Sequence, residues 1–335
     1  MNRLGWRQKR VAILCHPFLI PIGFLFRFRK LVLLGSTLIL AAVISSAQDQ
    51  RPVRIAILDF GSTPTGSRAA AQLRSTLRAR IGNATSTEIE IIDPDQARAA
   101  ARGAGFDGSL NLTLTDARNL GDAIGCDFFI IGDAQTLRRN PSTGPIYYEA
   151  FASIFLVSAR TGRLVQWERP DFQQSSPAEA EQTLIASLAA AETRQRYAIA
   201  IRRAQEIERA ARAHAIEAAT PIIEPMSEVE PESDYANHPP RPFRRPKPPY
   251  PDSAARAAAE ATVDVLVDID ARGEVGNIEV VRWAGYGLDE SVVETVKQMH
   301  FFPAMRGGEA IPMRVLLRYN FRKPPVPKPI AAPSE

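Results

Sequence analysis

Seven of the chain's 26 prolines fall between Pro239 and Pro251, in the run PPRPFRRPKPPYP. No helix interior or central strand tolerates that density, because each proline removes a backbone donor and fixes φ. Whatever folds must therefore fold on either side of this stretch. Prolines already mark the chain from Thr220, so residues 220–251 read as a stiff, basic linker. In polyproline II, at about 3.1 Å per residue, such a linker would reach about 100 Å. A length of 335 residues then fits two modest domains joined by it, rather than one core.

Charge narrows the function classes once it is located. The formal net charge is +4, yet residues 1–47 carry seven basic residues and no acidic one, which leaves −3 for the remainder. A basic field for nucleic acid is therefore absent from the body of the chain. After Arg27-Phe28-Arg29-Lys30 comes an apolar run from Leu31 to Ala47 that ends in Ser45-Ser46-Ala47. It reads as an export leader in one of two forms. Cleavage after Ala47 gives a soluble periplasmic protein; retention gives an inner-membrane anchor facing the periplasm, 17 residues being the short limit for a span. The cysteines are Cys15, in the leader, and Cys126, so the exported part forms no internal disulfide. The four histidines, His16, His214, His238 and His300, are far apart, and neither zinc clusters nor Cys/His dyads are supported.

Residues 51–175 carry the marks of an α/β domain. Val53–Phe60 is a nearly continuous apolar run, predicted as a buried strand, and Leu73, Leu77 and Ile81 follow at helical spacing. A second strand is expected over 88–92. Asp93-Pro94-Asp95-Gln96 then opens a helix to about Gly103, with a capping carboxylate and a proline in the first turn. Thr113 to Asp116 repeats the start signal, Gly125 suits a helix stop, and 126–131 reads as another buried strand. Tyr147–Val157 and Arg163–Trp167 predict a hairpin through Thr161-Gly162. From Ser176-Pro177-Ala178-Glu179 to Ala219 no further Gly or Pro occurs, which predicts one long helix of about 60 Å.

Beyond the prolines, residues 252–323 predict the order β-β-α-β, making the whole chain α+β. Val263, Val265, Val267 and Ile269 alternate with Asp264 and Asp268, so the first strand has one apolar face and one solvated acidic face. Asp270-Ala271-Arg272-Gly273 turns it, a return strand follows, and Leu288, Val292, Val296 and Met299 share a helix face. Met313, Val315, Leu317, Tyr319 and Phe321 then alternate with Arg314, Leu316, Arg318 and Asn320 in a last strand.

Over residues 239–323 the chain resembles the C-terminal domain of the TonB energy-transducer family. The matching features are Tyr250-Pro251 after the proline run, Val265-x-Val267-Asp268-Ile269-Asp270-x-x-Gly273-x-Val275, Leu288-Asp289 at a helix start, Phe302-Pro303-Ala304, and Gly307-Gly308 before the last strand. Ala259 to Thr262 departs from the family, which usually places a glycine there. The resemblance implies a periplasmic domain that grips a short segment of an outer-membrane TonB-dependent receptor by strand addition. It also implies force from inner-membrane proton-driven motor proteins of the ExbB/ExbD type. The expected partner-binding residues are those of the final strand, Met313, Arg314, Val315, Leu316, Leu317, Arg318, Tyr319, Asn320 and Phe321, with Arg314 and Arg318 steering an acidic segment. If the leader is retained, Ser36 is the expected motor contact. Residues 51–175 more loosely resemble the periplasmic modules at the start of TolB and in curli-secretion-type assembly proteins. Ile55-x-Ile57-Leu58-Asp59-Phe60, Gly105-x-Asp107-Gly108 and Leu120-Gly121-x-x-Ile124-Gly125-Cys126-Asp127 carry that likeness, which implies a docking unit in an envelope assembly.

Other motifs lead to blander readings. Gly61 to Arg68 lies where a phosphate loop would lie, but Ser67 stands in place of the lysine, and a polar turn capping a helix explains it better. Asp289 and Glu290 at a helix start fit the macrodipole, and Gly285-Tyr286-Gly287 reads as a simple turn. No nucleophile, base and orienting group assemble at recognisable spacing, so neither an enzyme nor a cofactor is expected. An envelope scaffold whose last domain only docks is the alternative to a force transducer.

Overall fold

The computed structural model describes residues 51–78, 89–217 and 237–323. The leader 1–47 with Ser36, and linker residues 218–236, lie outside the described residues. Among the described residues no helix is long and apolar enough to cross a membrane.

The first half begins with β1 (Val53–Phe60), α1 (Pro64–Arg78), β2 (Ile89–Ile91), α2 (Pro94–Gly103) and α3 (Leu114–Ile124). It continues with β3 (Phe128–Arg139), β4 (Tyr147–Ser158), β5 (Leu164–Glu168) and β6 (Asp171–Gln174). The strands form one mixed sheet in the order β2-β1-β3-β4-β5, with β6 also paired to β4. β2, β1 and β3 run parallel, as the intervening helices require, and the rest is antiparallel. The expected helix signals act as read. Asp93 accepts from the backbone N–H groups of Asp95 and Gln96, Thr113 and Asp116 form a reciprocal capping box, and Gly125 ends α3 at φ +72°. At the phosphate-loop-like stretch, Thr63 Oγ1 accepts from Gly66 N–H at 2.9 Å and donates to the Ala134 carbonyl, which makes it a helix-start turn fastened to β3.

Alternation along β1 feeds two cores. Ile55 and Ile57 point to a layer with Leu73, Leu77, Leu184, Leu188, Tyr197 and Ile201, whereas Ala56 and Leu58 point to a layer with Leu120, Phe129, Ile131 and Phe155. The long helix expected from Ser176 is in fact two, α4 (Pro177–Ala189) and α5 (Ala191–Glu217), separated at Ala190, whose ψ of 144° is extended. The reason is rotational. At about 100° per residue, Leu188 and Tyr197 would lie about 180° apart on a straight helix, yet both belong to one core, so the chain has to bend between them.

The second half comprises β7 (Arg241–Pro242), α6 (Asp252–Ala257), β8 (Ala261–Ile269), β9 (Val275–Arg282), α7 (Leu288–Lys297), β10 (Phe301–Phe302), β11 (Ala304–Arg306), β12 (Glu309–Ile311) and β13 (Met313–Phe321). The expected β-β-α-β order holds as β8, β9, α7 and β13, with the strands in the order β13-β8-β9. Val263, Val265, Val267 and Ile269 meet Leu288, Val292, Val296, Val315, Tyr319 and Phe321 in a third core.

Two expectations change here. Residues 237–251 are not a free spacer but a strap laid on this domain. His238 exchanges backbone hydrogen bonds with Met305, β7 pairs with β10, and Ser291 Oγ donates to the Pro249 carbonyl at 2.7 Å. Extended proline-rich backbone can do this because its remaining N–H and C=O groups have no internal partners. Nor does the domain stand apart: Trp283 from its β9–α7 turn is buried in the second core of the α/β half.

Two glycine substitutions, in α3 and at the end of α2, test the packing of these helices. A Cβ at Gly121 would fall 2.3 Å from the Ala159 Cβ, whereas one at Gly103 meets nothing within 4 Å. Gly121→Ala is expected to lower stability by about 1–3 kcal/mol, and Gly103→Ala to leave it level or raise it by up to about 1 kcal/mol, in urea unfolding.

Candidate functional site

β13 lies at the border of its sheet. β8 covers one side in an unbroken antiparallel register from Met313↔Ile269 to Phe321↔Ala261, and among the described residues no strand pairs with the other side. Val315, Tyr319 and Phe321 are buried, Met313 and Leu317 are half-buried, and Leu316, Arg318 and Asn320 are exposed. The alternation expected for residues 313–321 is thus present, with Leu316 41% exposed in the middle of the outer face.

The arginines of that face are committed within the domain. Arg314 grips Asp268 through both carboxylate oxygens, with its Nη2 at 2.8 Å, and the guanidinium holds that carboxyl below its ordinary pKa. Arg318 reaches Asp264 at 2.8 and 3.1 Å, and Arg282 from β9 reaches the same carboxylate at 3.1 Å. Asp264 is only 4% exposed, so the expected solvated acidic face is a roofed ion-pair ladder across β13, β8 and β9. The register explains it: Arg314 sits opposite Asp268 and Arg318 opposite Asp264. Free steering charges at 314 and 318 are therefore not what the fold supplies. The strap adds one more contact, for Arg245 Nη2 donates to the Arg318 carbonyl at 3.0 Å.

The opposite border of the sheet faces the α/β half. Asn111 donates through Nδ2 to the carbonyls of Thr262 (2.9 Å) and Trp283 (2.7 Å), and its Oδ1 accepts from Thr262 N–H at 3.0 Å. Thr113 bridges Arg282 in antiparallel fashion, and Trp283 N–H donates to the Leu112 carbonyl. The indole N–H of Trp283 reaches the Gly162 carbonyl at 2.9 Å, with its ring stacked 5.9 Å from Phe155. Tyr286 packs between Phe155 and Trp167, and Arg163 pairs with Glu279. Sequence reasoning passed over Trp283 and Asn111 and read Tyr286 only as part of a turn. A tryptophan and a tyrosine on either side of Gly285 was the available signal, since large aromatics in a turn need a surface to cover them.

Asp289 organises that turn. It accepts the backbone N–H groups of Ala284 and Gly285 at 2.8 Å each, and burial pushes its carboxyl up to about 6. This is more than a helix-start charge, for it fixes the backbone between Trp283 and Tyr286. It also lines a cavity of about 350 Å³ at the seam, together with Arg163, Glu279 and Trp283.

These features define a small α+β module with one border strand open and the other border seated on a second domain. Residues 246–322 match the family Gram-negative bacterial TonB protein C-terminal, so this part of the chain carries a TonB-type C-terminal domain. Among solved structures, the Pseudomonas aeruginosa TonB C-terminal domain is 23% identical, with 30% of this chain and 98% of that one covered and a TM-score of 0.24. The hypothetical protein CT253 from Chlamydia trachomatis is 11% identical, covering 41% and 94%, with a TM-score of 0.29. PelC from Paraburkholderia phytofirmans, a dodecamer, is 15% identical, covering 41% and 85%, with a TM-score of 0.25. No curated protein sequence matches the chain.

Two outcomes follow from the charges. Asp264→Ala removes the carboxylate that Arg318 and Arg282 share and should cost about 1–3 kcal/mol, whereas Arg318→Ala, which leaves Asp264 with Arg282, should cost less in the same denaturation assay. Asp289 has a folded pKa of about 6 against an ordinary 3.8, so its proton favours the folded state. That stability is full below about pH 3.8 and is lost as pH rises through about 6, on the order of 3 kcal/mol in all. Asp289→Asn should flatten this part of the pH profile, read by denaturation between pH 4 and 7.

Proposed function

We propose that the C-terminal domain captures an extended segment of an outer-membrane receptor along β13, and that the chain passes force to it from the inner membrane as a TonB-like transducer. The observation that carries the reading is the nine-residue border strand with one side unpaired, inside the segment that matches the TonB C-terminal family. Strand addition draws affinity from main-chain hydrogen bonds, and side chains of alternate residues set specificity. On the outer face the incoming segment meets Leu316 between two neutralised Arg–Asp pairs, so recognition there rests on shape and backbone bonding more than on net charge.

A second reading, an envelope scaffold whose TonB-type domain docks without transmitting force, is favoured by the α/β domain packed against it. The form of the leader separates the two. An intact leader in the inner-membrane fraction supports direct coupling to motor proteins through residues near Ser36, and a mature chain beginning at Gln48 supports the scaffold.

The edge itself is tested with Leu316→Pro in the full chain, which removes one backbone donor while keeping the buried Val315, Tyr319 and Phe321. Affinity for synthetic receptor segments should fall at least tenfold, about the worth of one or two backbone hydrogen bonds, while the melting temperature moves by only a few degrees. Unchanged affinity in a folded variant would remove β13 as the binding edge.

A further inference from the structure

The sheet of the C-terminal domain has two borders, and the chain treats them differently. At β13 the border is unpaired by any described strand. At β9 it is met by Asn111, Leu112 and Thr113 of the α/β domain, which approach as a short strand: Thr113 bridges Arg282, and Trp283 N–H bonds to the Leu112 carbonyl. Asn111 completes the contact by presenting an amide to Thr262 with the donor and acceptor of a backbone unit. Beside this pairing Trp283, 2% exposed, closes the second core of the α/β domain.

We infer that the α/β domain is a mechanical seat for the C-terminal domain, so that whatever β13 holds is held by the α/β domain and not by a slack tether. The inference rests on the proposed use of β13 for its load, but the seat exists or fails independently of any partner. The geometry supports simultaneous use of both borders. β8 lies between them, hydrogen-bonded to β13 over nine residue pairs and to β9 from Asp264↔Arg282 to Ile269↔Val275. The Asp264 carboxylate ties Arg318 of β13 to Arg282 of β9, the residue that meets Thr113. A pull on β13 therefore crosses a continuous ladder and an ion-pair bridge before it reaches Trp283 and Asn111. A purely tethered domain has no use for a tryptophan buried in its neighbour's core.

The test is single-molecule pulling of the full chain between thiol-linked handles at Asn320→Cys on β13 and Glu90→Cys on β2, in a Cys15→Ser background. Cys126 is left in place, because burial pushes its thiol up to about 12 and keeps it poorly reactive. The expected trace shows a discrete separation of the two domains that occurs before either unfolds. Asn111→Ala removes three hydrogen bonds without opening a core, so it should raise the zero-force separation rate about ten- to a hundredfold. Trp283→Ala should abolish the event while both domains still unfold as separate steps. Separation at no measurable force in the parent chain, or a rate unmoved by Asn111→Ala, would overturn the seat whatever β13 binds. Loss of receptor binding with the separation event intact would overturn only the partner reading.

Discussion

Burial of the Trp283 ring against Phe155, with its N–H on the Gly162 carbonyl, is the contact on which the position of the C-terminal half depends. A tryptophan taken out of water contributes about 5 kcal/mol of transfer free energy. The indole N–H, bonded to the Gly162 carbonyl, is not left unsatisfied by that burial. The neighbouring features serve this contact. Gly162, at φ +71°, takes a turn that leaves its carbonyl free for the indole, and a side chain there would strike the Leu114 backbone. Gly285, at φ +72°, lets the turn pass over Phe155 and Trp167, where a Cβ would sit 2.5 Å from the Phe155 ring. Asp289 then locks the turn from behind by accepting two of its N–H groups.

With one border seated, the other acquires its meaning. An unpaired edge strand is an aggregation hazard unless it is charged, bent or covered. β13 is managed by Arg314 and Arg318 on its outer face, while their counter-charges on β8 keep the face close to neutral. Leu316 stands exposed between them. The edge is thus protected from indiscriminate pairing, while no described strand covers its outer side. The Arg245 contact with the Arg318 carbonyl shows that the strap itself uses one of its backbone groups.

The α/β domain ahead of the TonB-type domain is packed on both faces of its sheet. With α1, α4 and α5 on one face of its sheet, and α2, α3 and Trp283 of the C-terminal domain on the other, the α/β sheet has both layers occupied. Its strands β1 and β3 are accordingly apolar on both sides, the pattern of a sheet buried on both faces. The second layer is completed from more than 100 residues further along the chain, since Phe129, Ile131, Phe155 and Val157 share it with Trp283.

Local signals were legible in the sequence because they act through neighbours within four residues. Asp93, Thr113 and Gly125 cap the helices that their types and spacings announce, and the alternation of residues 263–269 and 313–321 fixes which side of the last sheet is core. The matched residues 246–322 were legible for the same reason, as an ordered set of short turns and strand patterns. Three things were decided by tertiary structure. The bend at Ala190 arises because Leu188 and Tyr197 must reach one core from opposite faces of a helix. The fate of Asp264 depends on the cross-strand register that sets Arg318 and Arg282 against it, which alternation alone does not give. The seating of Trp283 depends on a surface built from residues 111–114 and 155–167, and no periodicity in the β9–α7 turn reports on a surface so distant in the chain. Short-range geometry belonged to the sequence; the pairing of charges and domains across long separations belonged to the fold, because only packing brings those residues within reach of one another.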